Sequence, residues 1–246
     1  MKRILVIGES CRDVFVYCEA KRLCPDIPVP VLNEVDRVET GGMAKNVHRN
    51  ILSLHKHCDI ITNKNWSDIT KTRYVHTGTN HTFFRVDSSH NTEPITISEI
   101  SYDYDIVVIS DYNKGFLSED DIKKICSKHS LVFLDTKKVL GPWANDAAYI
   151  KINDYEYNNS KQYIDSALRD KVIHTHGEHG CIFREKKYPV KKVEVRDTSG
   201  AGDSFISGLV VDYLKTNDIE KSIMFANKCA STVVTKKGVA VIWQGF

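Results

Sequence analysis

The chain has 246 residues, 41% of them hydrophobic and 27% charged, a balance that suits one sizeable packed α/β domain and argues against wholesale disorder. Its net charge of +2, with both signs interspersed, advertises neither nucleic acid nor an anionic membrane as partner. The apolar runs are too short to span a bilayer, and "MKRILVIGES" enters a strand-like run without a signal-peptide core, so a cytosolic protein is expected.

In chain order, short apolar runs at 4–7, 106–110, 131–134, 149–152, 171–174 and 181–183 predict strands buried on both faces, as in a parallel sheet. Between them, "NVHRNILSLH" puts Val47, Ile51 and Leu54 on one stripe, and "SEDDIKKICSKH" does the same with Ile122 and Ile125 behind an N-cap. This alternation predicts a three-layer α/β/α domain with a mostly parallel sheet. Residues 12–38, with three prolines, suit edge strands, and residues 72–87 read as two strands around a turn at 77–80. Both predict a small sheet standing off the body. Its residues 14–16 and 29–31 read as an apolar edge inviting a partner strand.

The seven cysteines are scattered singly, which predicts reduced, mostly buried thiols. "HKHC" at 55–58 and "HTHGEH" at 174–179 carry donors zinc could use, but no second half-site follows at finger spacing, and the favoured reading is polar residues at strand and loop ends.

The richest stretch is "EVRDTSGAGDSFISGLVVDYLK". Phe205, Leu209 and Tyr213 share a helical stripe, so Gly200, Ala201 and Gly202 fall at a helix N-terminus, where unpaired amides and the dipole favour an anion. Glycines let the anion approach those amides. Asp203 behind them suits a base that takes the proton of a hydroxyl attacking a phosphoryl group.

The run from Asp197 to Asp203, "DTSGAGD", resembles the signature of the ribokinase-like (PfkB) carbohydrate kinases. "GESCRDVFVYCEAKRLCPDIPVPVLNEVDRVETGGMAKNVHRNILSL" resembles the opening of the D-glycero-β-D-manno-heptose-7-phosphate kinases, and "TRY", "FFRVD", "SDYNKG", "LDTKK", "NDYE", "HTHGEHG" and "NKCASTVVTKKG" follow in that family's order. The resemblance implies a ribokinase-like fold over residues 1–246 with a β lid from 12–38 and 72–93, and transfer of phosphate from ATP to the anomeric hydroxyl of a heptose 7-phosphate. It implies Asp203 as catalytic base and Gly200, Ala201 and Gly202 as anion hole. Asp13, Gly41, Gly42, Asn46, Arg73, Arg85 and Lys114 would meet the sugar phosphate. Asn153, Glu156, Thr175, Gly177, Gly180, Asp197, Thr198 and Asn227 would meet the nucleotide, with Glu156 ordering Mg2+ through water. A monovalent cation is compatible with the family, and lids of this kind pair in homodimers.

The sequence also departs from the pattern. The arginine expected after Asp13 is Val14, "TPN" is "KIN" with Lys151 and Ile152, and the proline of "DPK" is Thr136. Residues 55–71 stand where relatives carry a longer strand–helix–strand passage, so one α/β unit is expected to be trimmed. A kinase for another sugar and a non-catalytic binding relative stay open as alternatives. A nicotinamide dehydrogenase and a Walker-type NTPase do not, because neither G-x-G-x-x-G after the first strand nor Gly-Lys-Ser/Thr occurs.

Overall fold

Every residue of the first strand, β1 (Ile4–Gly8), is buried, as a strand covered on both faces requires. The computed structural model describes residues 2–88 and 91–242. The remaining strands are β2 (Ser10–Glu19), β3 (Asn33–Met43), β4 (Cys58–Ile61), β5 (Thr70–His76), β6 (Thr82–Asp87), β7 (Ile106–Asp111), β8 (Val132–Thr136), β9 (Tyr149–Asn153), β10 (Val172–Thr175), β11 (Cys181–Phe183) and β12 (Lys186–Tyr188). The α-helices are α1 (Ala44–Leu54), α2 (Glu119–Lys128), α3 (Asp154–Ser160), α4 (Ser166–Arg169), α5 (Ala201–Thr216) and α6 (Ile219–Val233).

The main sheet runs β12-β11-β10-β9-β8-β7-β1-β4. It is parallel from β10 to β4 and ends in the antiparallel pair β11–β12. All six predicted runs are strands of this sheet. Helices α1, α5 and α6 cover one face through Val47, Ile51, Phe205, Leu209, Ile223 and Ala226. The other face packs against Ile122 and Ile125 of α2, Trp143 and Leu168 of α4. Each such valine, leucine, isoleucine or phenylalanine contributes about 1.5–3 kcal/mol when fully buried. Helix α2 begins where the acidic run predicts, with Ser118 and Asp121 closing a reciprocal capping box.

The trimming expected near 55–71 takes a definite form. A strand survives, β4, laid parallel to β1 at the sheet edge. Residues 62–69 then turn straight into β5 of the second sheet, with no helix between. Ile95, Ile97, Ile100, Tyr102 and Tyr104, from the segment between β6 and β7, pack with the Leu5 and Ile7 cluster on one face of the sheet. The three-layer fold therefore holds with a loop in place of one helix.

The second sheet has the order β3-β2-β5-β6. One expectation needs correcting. Residues 14–16 are not a free edge, because β2 pairs with β3 on one side and β5 on the other. Val14 and Val16 are buried with Cys18, Leu32, Tyr74 and Phe83 inside the chain. The apolar side chains left exposed lie on the outer strands: Val35 and Val38 on β3, Phe84 and Val86 on β6. Of the segment 72–93, residues 89 and 90 lie outside the described residues.

The cysteines are free, and all but Cys24 are buried. Burial pushes the thiols of Cys58, Cys126, Cys181 and Cys229 up to about 12, which leaves them protonated and inert at neutral pH.

Candidate active site

Strands β7, β8, β9 and β10 all end toward the start of α5, the side where open parallel sheets bind ligands. Gly200 caps α5 with φ of +79°, a left-handed conformation that glycine adopts without strain. The positive φ belongs to Gly200 and not to Gly202, which sits inside the first helical turn. The Ala201 amide turns back to the Thr198 carbonyl and the Ser204 amide to that of Gly200, leaving those of Gly202 and Asp203 without a backbone partner among the described residues. A β-carbon added at Gly202 would stand 3.0 Å from Lys151 Nζ, so a cation faces the same turn.

Asp203 is buried at the mouth of the helix. Its Oδ1 accepts from the Tyr112 hydroxyl at 2.6 Å and its Oδ2 from Asn46 Nδ2 at 2.7 Å. Burial raises its pKa above the usual carboxylate value, against the lowering effect of Asn46 and Tyr112; Asp135 adds to the rise and Lys151 opposes it. Asn46 comes from α1, Tyr112 from the end of β7, and Asp203 from α5, so three separate segments assemble this corner.

Next to it lies an array of ion pairs. Lys151 Nζ donates to both oxygens of Asp135 at 3.1–3.2 Å, and both residues are almost fully buried. Lys137 pairs with Glu156. Burial works to lower the Lys137 pKa, but Asp135, Glu156 and the hydrogen bond outweigh it and hold the ammonium charged. Glu156 also closes a capping box with Asn153: Asn153 N donates to its Oε2 at 2.8 Å, and Glu156 N donates to Asn153 Oδ1 at 2.9 Å. Tyr112, Asp135, Lys137, Lys151, Asn153, Thr175, Gly177 and the 200–203 turn line one cleft of about 390 Å3.

A second cleft of about 390 Å3 opens beside it, apolar for the most part, with Val190, Val193, Val195, Phe205, Ala230, Val234 and Asn227 in its walls. Asn227 Nδ2 donates to the Tyr188 carbonyl at 2.9 Å. Thr175, Gly177 and Gly180 form its rim, and Gly180 has φ of +85° with no room for a β-carbon against the Tyr188 carbonyl. Asp197 is anchored by backbone amides on both sides of the turn. Its carboxylate accepts from Ser199 N at 2.8 Å and Gly238 N at 3.1 Å, and so ties the turn to the C-terminal segment.

A third cleft, about 330 Å3, separates the second sheet from residues 195–199 and contains Phe15, Arg73, Arg85, Arg196 and Thr198. Thr198 lines all three clefts and marks where they meet. Asp13 is buried and pairs with Arg73, whose guanidinium lies 5.0 Å from the Phe15 ring centre. Burial raises the Asp13 pKa, against the opposing pull of Arg73. Arg85 forks onto the two oxygens of Asp87. Gly42 packs against Cys11 and Asp13, where a β-carbon would come within 2.9 Å of Cys11 Sγ, and a β-carbon at Gly41 would strike the Lys45 side chain. Their smallness serves the β2–β3–α1 packing around Asp13.

Two sequence readings come out differently in space. Lys114 is exposed on the loop after β7, with its backbone amide on Glu9, and lines none of these three clefts. Val14 points away from Asp13 across the strand, among Val16 and Cys18, so its lack of charge takes nothing from this cleft. Conversely, Tyr112, Lys151 and Arg196 belong to the site although sequence reasoning gave them no role. Lys151 was visible as a departure from "TPN", and Tyr112 sat within "SDYNKG".

A glycine-capped helix start with a buried aspartate behind it and an apolar cleft alongside is an arrangement suited to holding a phosphate group against a hydroxyl. Residues 122–244 match the model of the pfkB family carbohydrate kinases, and the chain belongs to that family. It is 28% identical over 299 residues to the bifunctional protein HldE of Helicobacter pylori strain J99, an alignment covering 98% of this chain and 64% of that protein. The chain thus spans under two thirds of that relative's length. The alignment is also longer than the chain itself, so the relative carries residues in this region that the chain lacks. Among solved structures, phosphofructokinase-2 of Escherichia coli in complex with potassium superposes with a TM-score of 0.73 at 14% identity, covering 99% of this chain and 96% of that one. Arabidopsis thaliana ribokinase complexed with ribose and ATP gives 0.65 at 14% identity, covering 97% and 94%. At these identities the likeness is one of fold.

Proposed function

We propose that the chain is an ATP-dependent kinase of a phosphorylated sugar, transferring the γ-phosphoryl group to the anomeric hydroxyl of D-glycero-β-D-manno-heptose 7-phosphate. The observation that carries the reading is Asp203, a buried carboxylate beside the Gly202 and Asp203 amides of the α5 turn, where the polar and apolar clefts meet. The adenine would lie in the apolar cleft against Asn227, and the phosphates would run along Thr175, Gly177 and Lys151 to the turn. The sugar would enter from the arginine-lined cleft, its hydroxyl near Asp203 and its existing phosphate toward Arg73, Arg85 and Arg196.

In the reaction, the hydroxyl proton passes to Asp203 while the sugar oxygen bonds to the γ-phosphorus and ADP leaves with the bridging oxygen. Amides of Gly202 and Asp203, with Lys151, hold the equatorial oxygens as charge builds. Magnesium takes oxygen donors and keeps several waters, which Asp135 and Asn153 on the polar cleft suit, while Glu156, buried behind them, would act through Asn153 and Lys137 or through water. The ion would neutralise charge on the bridging phosphates. The chain is read as one kinase domain with the second sheet as its lid, paired with a second copy in a cytosolic homodimer.

ADP release from ATP, screened against heptose 7-phosphate, hexose phosphates, free pentoses and nucleosides, tests the reading. Turnover highest with heptose 7-phosphate supports it. Preference for another sugar phosphate would replace the substrate and leave the kinase. No turnover with any acceptor, from protein that still binds ATP, would favour a binding protein.

A further inference from the structure

Strands β9 and β10 run parallel with Asn153 opposite Thr175, so the residues around that pair sit side by side at the strand ends. Asp154 opens α3 just past β9. His174 and His176, two apart on an extended run, project to the same side, and their ring centres are 3.8 Å apart. His174 Nε2 lies 2.9 Å and His176 Nδ1 2.7 Å from the same oxygen, Asp154 Oδ1. One ligand atom from each of the three residues lies within 4.8 Å of the other two. Tyr157, one turn along α3, stacks on His174 at 3.9 Å and holds the ring in place.

We propose that Asp154, His174 and His176 form a binding site for a divalent first-row transition ion of the zinc type. Two imidazoles and one carboxylate supply three donors of the kind zinc takes, leaving a fourth position for water. Tetrahedral zinc at bond lengths near 2.0–2.1 Å needs donors about 3.3 Å apart, so each histidine nitrogen has to draw back from Asp154 Oδ1 by roughly half an ångström. The nitrogen-rich set excludes magnesium, which demands oxygen ligands, and so separates this site from the metal that accompanies ATP. Asp154 is more than half exposed, which leaves an entry path.

The ion would pin two segments that wall the polar cleft. One is the start of α3, whose Asn153–Glu156 cap holds Lys137. The other is the turn following β10, with Gly177 at its head. Asp154 also lines that cleft, whereas the two histidines do not, and the site does not depend on which sugar is phosphorylated. The histidine-rich stretch at 174–179 had no second half-site in sequence because its third ligand comes from a neighbouring strand end.

The test uses the full chain, stripped with chelator and kept reduced, titrated with Zn2+ against a chromophoric competitor. One tight ion is expected, with a dissociation constant below about 1 µM and no displacement by millimolar Mg2+. The His174→Gln/His176→Gln protein should bind at least 100-fold more weakly, and Asp154→Asn, which keeps both rings, about 10–100-fold more weakly. Zinc should raise the melting temperature of the parent protein alone. Substituted Co2+ should show a tetrahedral visible spectrum without a thiolate charge-transfer band. Equal affinity in parent and variants, or a thiolate band lost on blocking the cysteines, overturns the proposal. If the double variant fails to fold by circular dichroism, Asp154→Asn decides.

Discussion

The Tyr112 hydroxyl donates to Asp203 Oδ1 at 2.6 Å, while Asn46 occupies the other carboxylate oxygen at 2.7 Å. Both donors favour the ionised form, yet burial dominates and the pKa of Asp203 stays above the ordinary carboxylate value. A base kept in this balance is both reactive and a burden on the fold.

Asp203→Asn should therefore have two opposite effects. Turnover should fall about 1,000-fold with nucleotide affinity kept, within the range expected for loss of a general base. Stability should rise. A carboxyl whose folded pKa is raised destabilises the folded state wherever it is ionised, at pH above that raised value, and the penalty fades as pH falls toward the unfolded pKa. Each 1 kcal/mol relieved would lift the melting temperature by about 2–4 °C in a chain of this size. Near-normal turnover would remove Asp203 from the base role, and an unchanged melting temperature at pH 8 would remove the burial penalty.

Tyr112→Phe deletes one donor to the carboxylate and leaves its burial intact. The pKa of Asp203 should climb further, so the acidic limb of the kcat/KM profile should move to higher pH. Activity well above that limb should fall by less than tenfold. A profile that keeps its acidic limb in place would mean Tyr112 does not tune the base.

The sequence announced some of this arrangement and hid the rest, for physical reasons. Strands such as β1 and β7 are buried on both faces and show as continuous apolar runs. The turn at 200–203 is local, so its glycines and Asp203 sit together in sequence. Tyr112 and Lys151 are brought in from two other segments by sheet order, which no spacing encodes, while Arg196 stands just before the turn with nothing in its spacing to mark it. Strand β4 escaped because "CDII" is four residues long and only its first is buried, and β12 because "KKY" carries two exposed lysines. Asp197 fits the family signature, yet its bonds to Ser199 and Gly238 give it a bracing task that a motif cannot express.

Lys151 should serve the transferred phosphate as a buried cation. Lys151→Met is expected to lower kcat about 10- to 100-fold and to destabilise the protein, because it strands the Asp135 carboxylate in the interior. Lys151→Met/Asp135→Asn should restore stability without restoring turnover. Recovery of both in the double variant would assign Lys151 to the fold alone.

If a homodimer forms through the lid, the exposed apolar side chains of edge strand β6 should carry it. Phe84 and Val86 are each about half exposed, in a strand whose outer edge has no partner among the described residues. Sedimentation should give a dimer at micromolar concentration for the parent protein and a monomer for Phe84→Glu/Val86→Lys. A parent protein that sediments as a monomer ends the idea.

Arg85 bears on substrate choice. With Arg73 and Arg196 it lines the cleft between the second sheet and residues 195–199. Its partner Asp87 holds the guanidinium on the sheet, and Arg73 is already committed to Asp13. A phosphate arriving on the sugar would meet Arg85 as the more available fork, since its ion pair is part-exposed and so contributes little. Arg85→Ala should raise the KM for the sugar phosphate at least tenfold, about 1.4 kcal/mol, while the KM for ATP changes less than twofold. The same variant should treat unphosphorylated sugars no worse than the parent does. A matching rise for ATP would place Arg85 on the nucleotide, and no rise for either would leave the sugar's phosphate to Arg196 or Arg73.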